Sequence, residues 1–330
     1  MAEWLIEQGI GETRAILVDE AEIVEAAIEL PGIVPVGAVL DARLASILVP
    51  RARGIASLAD GSELLIEPLP PRVTEGEAIR VEIIREPILE AGRAKLAKGR
   101  VSDLAPREGV TLRQRLAASG HPVRETSLPG WDDFEAAGWS ELLEQAATGV
   151  LPFNGGALRM SLTPAMTLFD VDGALPPAAL AVTGAEAAGR AIRRFAIGGS
   201  IGIDLPTLGS RDQRQAAAAA LDAVLPQPFE RTAVNGFGFL QVVRKRERAS
   251  IAEIVQGDPV GAAARALLRS AERAGGSGTR TLTAAPAVIA RIERNPEWIA
   301  LLARRCGAAL ALRSDPALAL GAGHVQSEFA

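Results

Sequence analysis

Tyrosine is absent from the chain, cysteine occurs once and histidine twice. A lone cysteine, Cys306, excludes an intrachain disulfide framework and a cysteine-rich zinc site, and no zinc is expected. It follows Leu301-Leu302-Ala303-Arg304-Arg305 and reads as a small packed residue rather than a nucleophile. His121 lies in a Gly-His-Pro turn and His324 in a Gly-rich tail, and neither has a partner nearby in sequence, so histidine-based catalysis is unsupported. Aromatic residues make up only 4% of the chain, so its cores must rest on Leu, Ile, Val and Ala. No apolar run approaches the ~20 residues needed to cross a bilayer. The start, Met1-Ala2-Glu3-Trp4, lacks the basic-then-apolar pattern of a signal peptide. A cytoplasmic protein with no membrane partner is expected. The formal net charge is −5, so any nucleic-acid binding must come from local basic patches.

What is present is a succession of short apolar runs. The chain of 330 residues suggests roughly two domains. Residues 12–18 and 23–30 read as two strands joined at Asp19-Glu20. Between 36 and 97 come apolar or β-branched runs at 39–44, 46–49, 54–58, 63–66 and 79–84, whose length and spacing suggest a small β-barrel. Residues 100–149 are irregular and proline-interrupted, closing in a helix over 139–147. From 150 the pattern changes to a hairpin over 156–162 and 166–171, a Pro/Ala-rich turn, a helix over 185–195, a strand over 200–205 and a helix over 211–224. Strands over 231–234 and 237–243 then pair through Asn235-Gly236. Sheet strands alternating with helices imply an α/β layered domain. The remainder, with helices over 262–274 and 287–305, looks like a small appended α+β subdomain. The fold class expected is a multi-subdomain α+β and α/β chain.

Two carboxylates stand out. Asp170 and Asp204 each end a strand-like apolar stretch, within Met166-Thr167-Leu168-Phe169-Asp170-Val171-Asp172 and Gly198-Gly199-Ser200-Ile201-Gly202-Ile203-Asp204, with a helix-like segment between them. A carboxylate ending a buried strand is costly to desolvate unless it is paired or binds a cation. Two at one sheet edge would suit a hard metal such as Mg²⁺. The structural alternative is that Asp170 caps a turn and Asp204 leads into a helix.

With these runs placed, a resemblance emerges. Leu151-Pro152-Phe153-Asn154-Gly155-Gly156, Leu162-Thr163-Pro164-Ala165-Met166 and Phe169-Asp170-Val171-Asp172 are similar, in order, to segments of the ribonuclease E/G family. Ile197-Gly198-Gly199-Ser200-Ile201-Gly202-Ile203-Asp204 resembles its Leu-Gly-Gly-x-Ile-x-Ile-Asp strand. Phe237-Gly238-Phe239-Leu240-Gln241, followed by Arg244-Lys245-Arg246, resembles its Gly-Leu-Leu-Glu and Arg-Gln-Arg segment. The likeness is clearest over 151–250, weaker over 1–98 and faint beyond.

The resemblance implies an S1-like (OB-type) RNA-binding barrel over 36–104 and a DNase I-like catalytic domain over 151–250. Around them would lie N-terminal strands over 1–35, a reduced connecting region over 105–150 and a small subdomain over 251–330. It implies a Mg²⁺-dependent endoribonuclease hydrolysing single-stranded RNA in processing or decay, with Mn²⁺ able to substitute. Asp170 and Asp204 fall on the family's metal-binding aspartates and Asp172 on its metal-site asparagine. Arg244, Lys245 and Arg246 would hold phosphate near the site, and Arg93 and Lys95 match a basic contact at the end of the barrel.

The chain also departs from the family. The zinc link between protomers is missing, so any homodimer would have to form without zinc. The family's Thr-Glu-Ala glutamate is Pro164 here. Ile55 and Ala56 stand where a base-stacking aromatic is placed, and the connecting region leaves little room for a 5′-phosphate sensor. The competing expectation is a non-catalytic RNA-binding protein on the same fold. A third is an interaction protein with no RNA role, in keeping with the acidic net charge.

Overall fold

The computed structural model describes residues 1–90, 94–126, 131–276 and 278–327. These residues build a mixed α+β protein with a closed five-stranded barrel and three open sheets. Strands β1 (Glu3–Gln8), β2 (Thr13–Asp19) and β3 (Glu22–Glu29) form an antiparallel meander. The β2–β3 loop is the two-residue kind, with Glu20 and Ala21 both at positive φ (50 and 69°), as a hairpin with the right-handed strand twist demands. Sequence patterning predicts β2 and β3 but not β1, whose buried run Trp4-Leu5-Ile6 lacks period-two alternation.

The barrel runs in the order β4 (Val39–Val49), β5 (Arg53–Ser57), β6 (Glu63–Ile66), β8 (Ala97–Val101), β7 (Ala78–Arg85). The runs expected at 39–44 and 46–49 are one strand of 11 residues, with register shifts between Leu44 and Ser46 and between Ile47 and Val49. Such bulges bend a strand around a barrel. Closure depends on β8, which pairs parallel to β6 and antiparallel to β7. Gly99 is required there, because a Cβ would come within 2.1 Å of Val81 Cγ1.

The connecting region carries α1 (Leu112–Ala117), β9 (Val123–Glu125), α2 (Asp133–Ala136) and α3 (Trp139–Thr148), with β9 pairing parallel to β1. The six-stranded sheet follows. It comprises β10 (Val150–Phe153), β11 (Gly156–Leu162), β12 (Thr167–Gly173), β13 (Gly199–Asp204), β14 (Glu230–Arg231) and β15 (Phe239–Arg244), in the order β10-β11-β12-β13-β15-β14. Helix α4 (Pro177–Arg194) crosses from β12 to β13, and α5 (Arg211–Val224) packs beside it.

Helix α4 begins well before residue 185, because the Pro/Ala-rich segment is its first turn rather than a loop. Proline is tolerated at the first helical position, where its missing N–H would go unpaired anyway. Phe169, Val171, Ile201, Ile203, Leu240 and Val242 bury one sheet face against small residues of α4 and α5. Gly184 lets α4 approach closely, since a Cβ there would meet Val171 at 2.4 Å. Arg193, in the last turn of α4, pairs with Glu25 at 2.7 Å and so ties that helix to β3.

The C-terminal part carries α6 (Ile251–Gly257), α7 (Pro259–Arg273), α8 (Pro286–Glu293) and α9 (Pro296–Cys306) around a sheet ordered β17 (Leu310–Ser314), β16 (Arg280–Ala284), β18 (His324–Ser327). The helix expected over 287–305 is two, broken where Pro296 removes a backbone donor. Among the described residues no helix is long and apolar enough to cross a membrane.

Buried charge joins the two ends of the chain. Glu12 accepts from Arg265 Nε at 2.9 Å and from Arg269, and all three side chains are buried. Glu7 holds Arg14 Nε at 3.1 Å and also contacts Arg273. Removing one partner of a buried pair leaves an uncompensated charge, so Glu12→Gln should lower the unfolding free energy by about 3–5 kcal/mol. Urea denaturation measures this, and a loss within error of zero would show that the network carries no stability.

Candidate functional site

Strands β12 and β13 run parallel, with Thr167 opposite Ile201, Leu168 opposite Gly202, Phe169 opposite Ile203 and Asp170 opposite Asp204. The alternation of each strand fixes this pairing. Phe169, Val171, Ile201 and Ile203 face the helices, so Leu168, Asp170, Asp172, Gly202 and Asp204 share the other face. A slip of one residue would drive an aspartate into the core.

This corrects the expectation of carboxylates ending buried strands. Asp170 is the fourth residue of β12, Asp204 ends β13, and both are solvent-exposed on an open sheet face. Desolvation therefore gives no reason for a cation, and what sets the pair apart is proximity. Neighbouring strands lie about 4.8 Å apart, and like charges directly opposite one another repel. Neither Asp170 nor Asp204 makes an ion pair or side-chain hydrogen bond with another described residue. Arg159 of β11 stands opposite Asp170 in register, yet its Nε donates to Asp172 Oδ2 at 3.0 Å. That contact is well exposed on both sides and worth at most about 1 kcal/mol. Among the described residues no three His, Cys, Asp or Glu side chains converge as a metal-holding group, so the compact donor set is the Asp170–Asp204 pair with Asp172 to one side.

An apolar floor adjoins the pair. A Cβ on Gly202 would meet Phe239 at 2.6 Å and Leu168 at 2.7 Å, so both side chains cover that glycine beside the aspartates. The turn before β15 sits against the residue after Asp204, with Leu205 N donating to Gly238 O at 3.2 Å. Phe237 in this turn is 84% exposed. Reading 237–243 as one strand hides it; the Asn235-Gly236 turn followed by an aromatic was the available signal.

The basic residues lie elsewhere. Arg244 pairs with Gly199, at the opposite end of β13 from Asp204, roughly 17 Å away at ~3.3 Å per residue. The run 244–246 is thus not beside the aspartates, contrary to expectation, because β15 runs antiparallel to β13. Its cations are also engaged. Arg244 Nη1 donates to Ile197 O at 3.3 Å, Lys245 pairs with Glu247, and Arg246 pairs with Glu253 and lies 3.6 Å from Glu90. Burial holds the Arg244 pKa below the ordinary arginine value.

Lys95 also pairs with Glu90, and it reaches Pro164 O at 3.5 Å. Arg93 lies outside the described residues. Lys95 and Arg246 line a cleft of about 620 Å³ between the barrel wall at Leu48, Ile55 and Leu65 and the loop leading into β12. Ile55 faces this cleft, whereas Ala56 is buried in the barrel core. Burial and the neighbouring Arg246 hold Arg85 in the same cleft below its ordinary pKa. Ser200 lines the cleft too and shares the outer sheet face with Asp204, roughly 13 Å along the strand. Cleft and carboxylate pair therefore occupy two ends of one open face.

No protein-family model matches the chain, and no curated protein matches it.

Because the two carboxylates face each other without a cation, Asp204→Asn should stabilise the protein in EDTA by about 0.2–1 kcal/mol. Urea melts of both proteins measure the difference, and a destabilised variant would contradict the repulsion.

Proposed function

We propose that the chain is a Mg²⁺-dependent endoribonuclease acting on single-stranded RNA, with an S1-like barrel beside a DNase I-like layered domain and a role in cytoplasmic RNA processing or decay. The observation that carries this reading is the register pairing of Asp170 with Asp204, exposed, adjacent and without a cationic partner among the described residues. Mg²⁺ is commonly held by one or two carboxylates, with waters and substrate phosphate completing its octahedron, and the donor set fits that demand. When bound, Mg²⁺ or Mn²⁺ orients and activates water and neutralises charge on phosphoryl oxygens.

The chain's own residues supply the rest. Asp170 and Asp204 would hold the cation, and Asp172 would ligate it or orient a water once free of Arg159. Phe237 offers an exposed ring on which a base can stack, and stacking of this kind is tolerant of sequence. Lys95 and Arg246 guide the RNA backbone through the cleft at the far end of the sheet face, exchanging their carboxylate partners for phosphate.

A second reading, RNA binding without cleavage, is favoured by one observation: Asp172 is held by Arg159, which leaves two carboxylates rather than three. Cleavage of an unstructured RNA by the intact protein separates the two. The nuclease reading expects Mg²⁺-dependent products that fall about a hundredfold or more in Asp170→Asn and in Asp204→Asn, a barrier change of ~2.7 kcal/mol. Folding of both variants is checked by circular dichroism. Wild-type cleavage by both variants would overturn the assignment. RNA binding that is salt-sensitive, indifferent to EDTA and without products would favour the second reading.

A further inference from the structure

We propose that the cleft between α3 and the α6–α7 pair binds a small organic monoanion, a carboxylate on an apolar body, through the guanidinium of Arg14. This inference is independent of the RNA reading and of the sheet face that carries it. The cleft encloses about 610 Å³, within the range of roughly 300–1,000 Å³ typical of small-molecule sites. Leu143, Val255, Pro259, Ala262 and Ala266 give it an apolar wall.

Arg14 and Arg269 are buried polar side chains in its lining. The Arg14 side chain is 1% exposed, and its guanidinium carbon lies 4.1 Å from the Phe134 ring centre and 5.1 Å from that of Trp139. The face of the guanidinium is thereby occupied, and its edge is only partly used. Nε donates to Glu7 Oε1 at 3.1 Å, and Nη2 lies 2.9 Å from the same oxygen without hydrogen-bond geometry. Nη1 has no partner among the described residues, and neither does the buried Nη1 of Arg273, which also lines the cleft. Buried donors are ordinarily satisfied, so two guanidiniums with free N–H groups at one cavity point to an acceptor.

Charge decides which acceptor fits. The buried network sets four guanidiniums, Arg14, Arg265, Arg269 and Arg273, against three carboxylates, Glu7, Glu12 and Asp132. Glu7 and Asp132 balance Arg14 and Arg273, and the one surplus positive charge lies on the Glu12, Arg265 and Arg269 cluster, whose Arg269 lines the same cleft, so at most a single monoanion is favoured. Glu135 and Glu144 at the exposed rim disfavour a second negative charge. Burial, followed by the neighbouring Arg269, lowers the Arg14 pKa to about 10, which leaves it cationic at neutral pH. A carboxylate suits the planar fork of a guanidinium, and an apolar body suits the wall.

Isothermal titration of the whole protein with benzoate and with hexanoate tests the proposal, with inorganic phosphate and adenosine monophosphate as comparators. Saturable binding of at least one carboxylate is expected, tighter than that of either phosphate. Ala266→Phe fills the cleft while leaving every member of the ionic network in the sequence, and should weaken that binding by about tenfold or more, with the thermal midpoint retained. Arg14→Gln should weaken it similarly wherever the variant folds. The proposal is overturned by the absence of saturable heat with both carboxylates, by unchanged binding in Ala266→Phe, or by tighter binding of adenosine monophosphate.

Discussion

The molecule depends on buried charge where its two ends meet. Glu12, the residue before the second strand, is bound by Arg265 and Arg269 of a helix some 250 residues later. Charges removed from water are costly unless geometry satisfies them, so such a network is stable only when all its members are in place. Arg14 extends it by lying against Phe134 and Trp139, which themselves meet edge to face at 5.5 Å. The N-terminal sheet, the connecting helices and the C-terminal subdomain therefore share one junction. In a chain so poor in aromatics, two of the largest buried rings are placed there.

Away from that junction, α4 and α5 cover one side of the six-stranded sheet and leave the other side open. The helices bury Phe169, Val171, Ile201 and Ile203, and the same alternation turns Asp170 and Asp204 outward on neighbouring parallel strands. Two like charges on adjacent strands work against the sheet they decorate. A hydrated divalent cation is the simplest group that would reverse that sign. Phe239 borders the pair, and the cleft lined by Arg85, Lys95 and Arg246 with Glu90 and Glu253 lies at the other end of the same face.

Much of this was legible in the sequence, because period-two runs such as Phe169-Asp170-Val171-Asp172 and Ser200-Ile201-Gly202-Ile203-Asp204 carry their own facing. The helix over 211–224 was legible from its composition, and its first turn is closed by a reciprocal Ser210–Gln213 cap. Strand β8 was not, since Ala-Lys-Gly-Arg-Val is polar and qualifies as a strand only through barrel closure. Nor was the burial of Arg14, Glu7 and Glu12, because the helix that covers them lies some 250 residues further along the chain. The basic run 244–246 was misplaced for a topological reason. A strand returning antiparallel carries its far end away from Asp204, so closeness in sequence to the site did not become closeness in space.

The central claim is that Asp170 and Asp204 together hold a divalent cation. Anomalous diffraction from crystals soaked in Mn²⁺ tests it most directly. The account predicts a peak between the two carboxylates that is lost in Asp204→Asn crystals soaked alongside. A map with no peak at the pair, or one whose peak there survives the substitution, would contradict it.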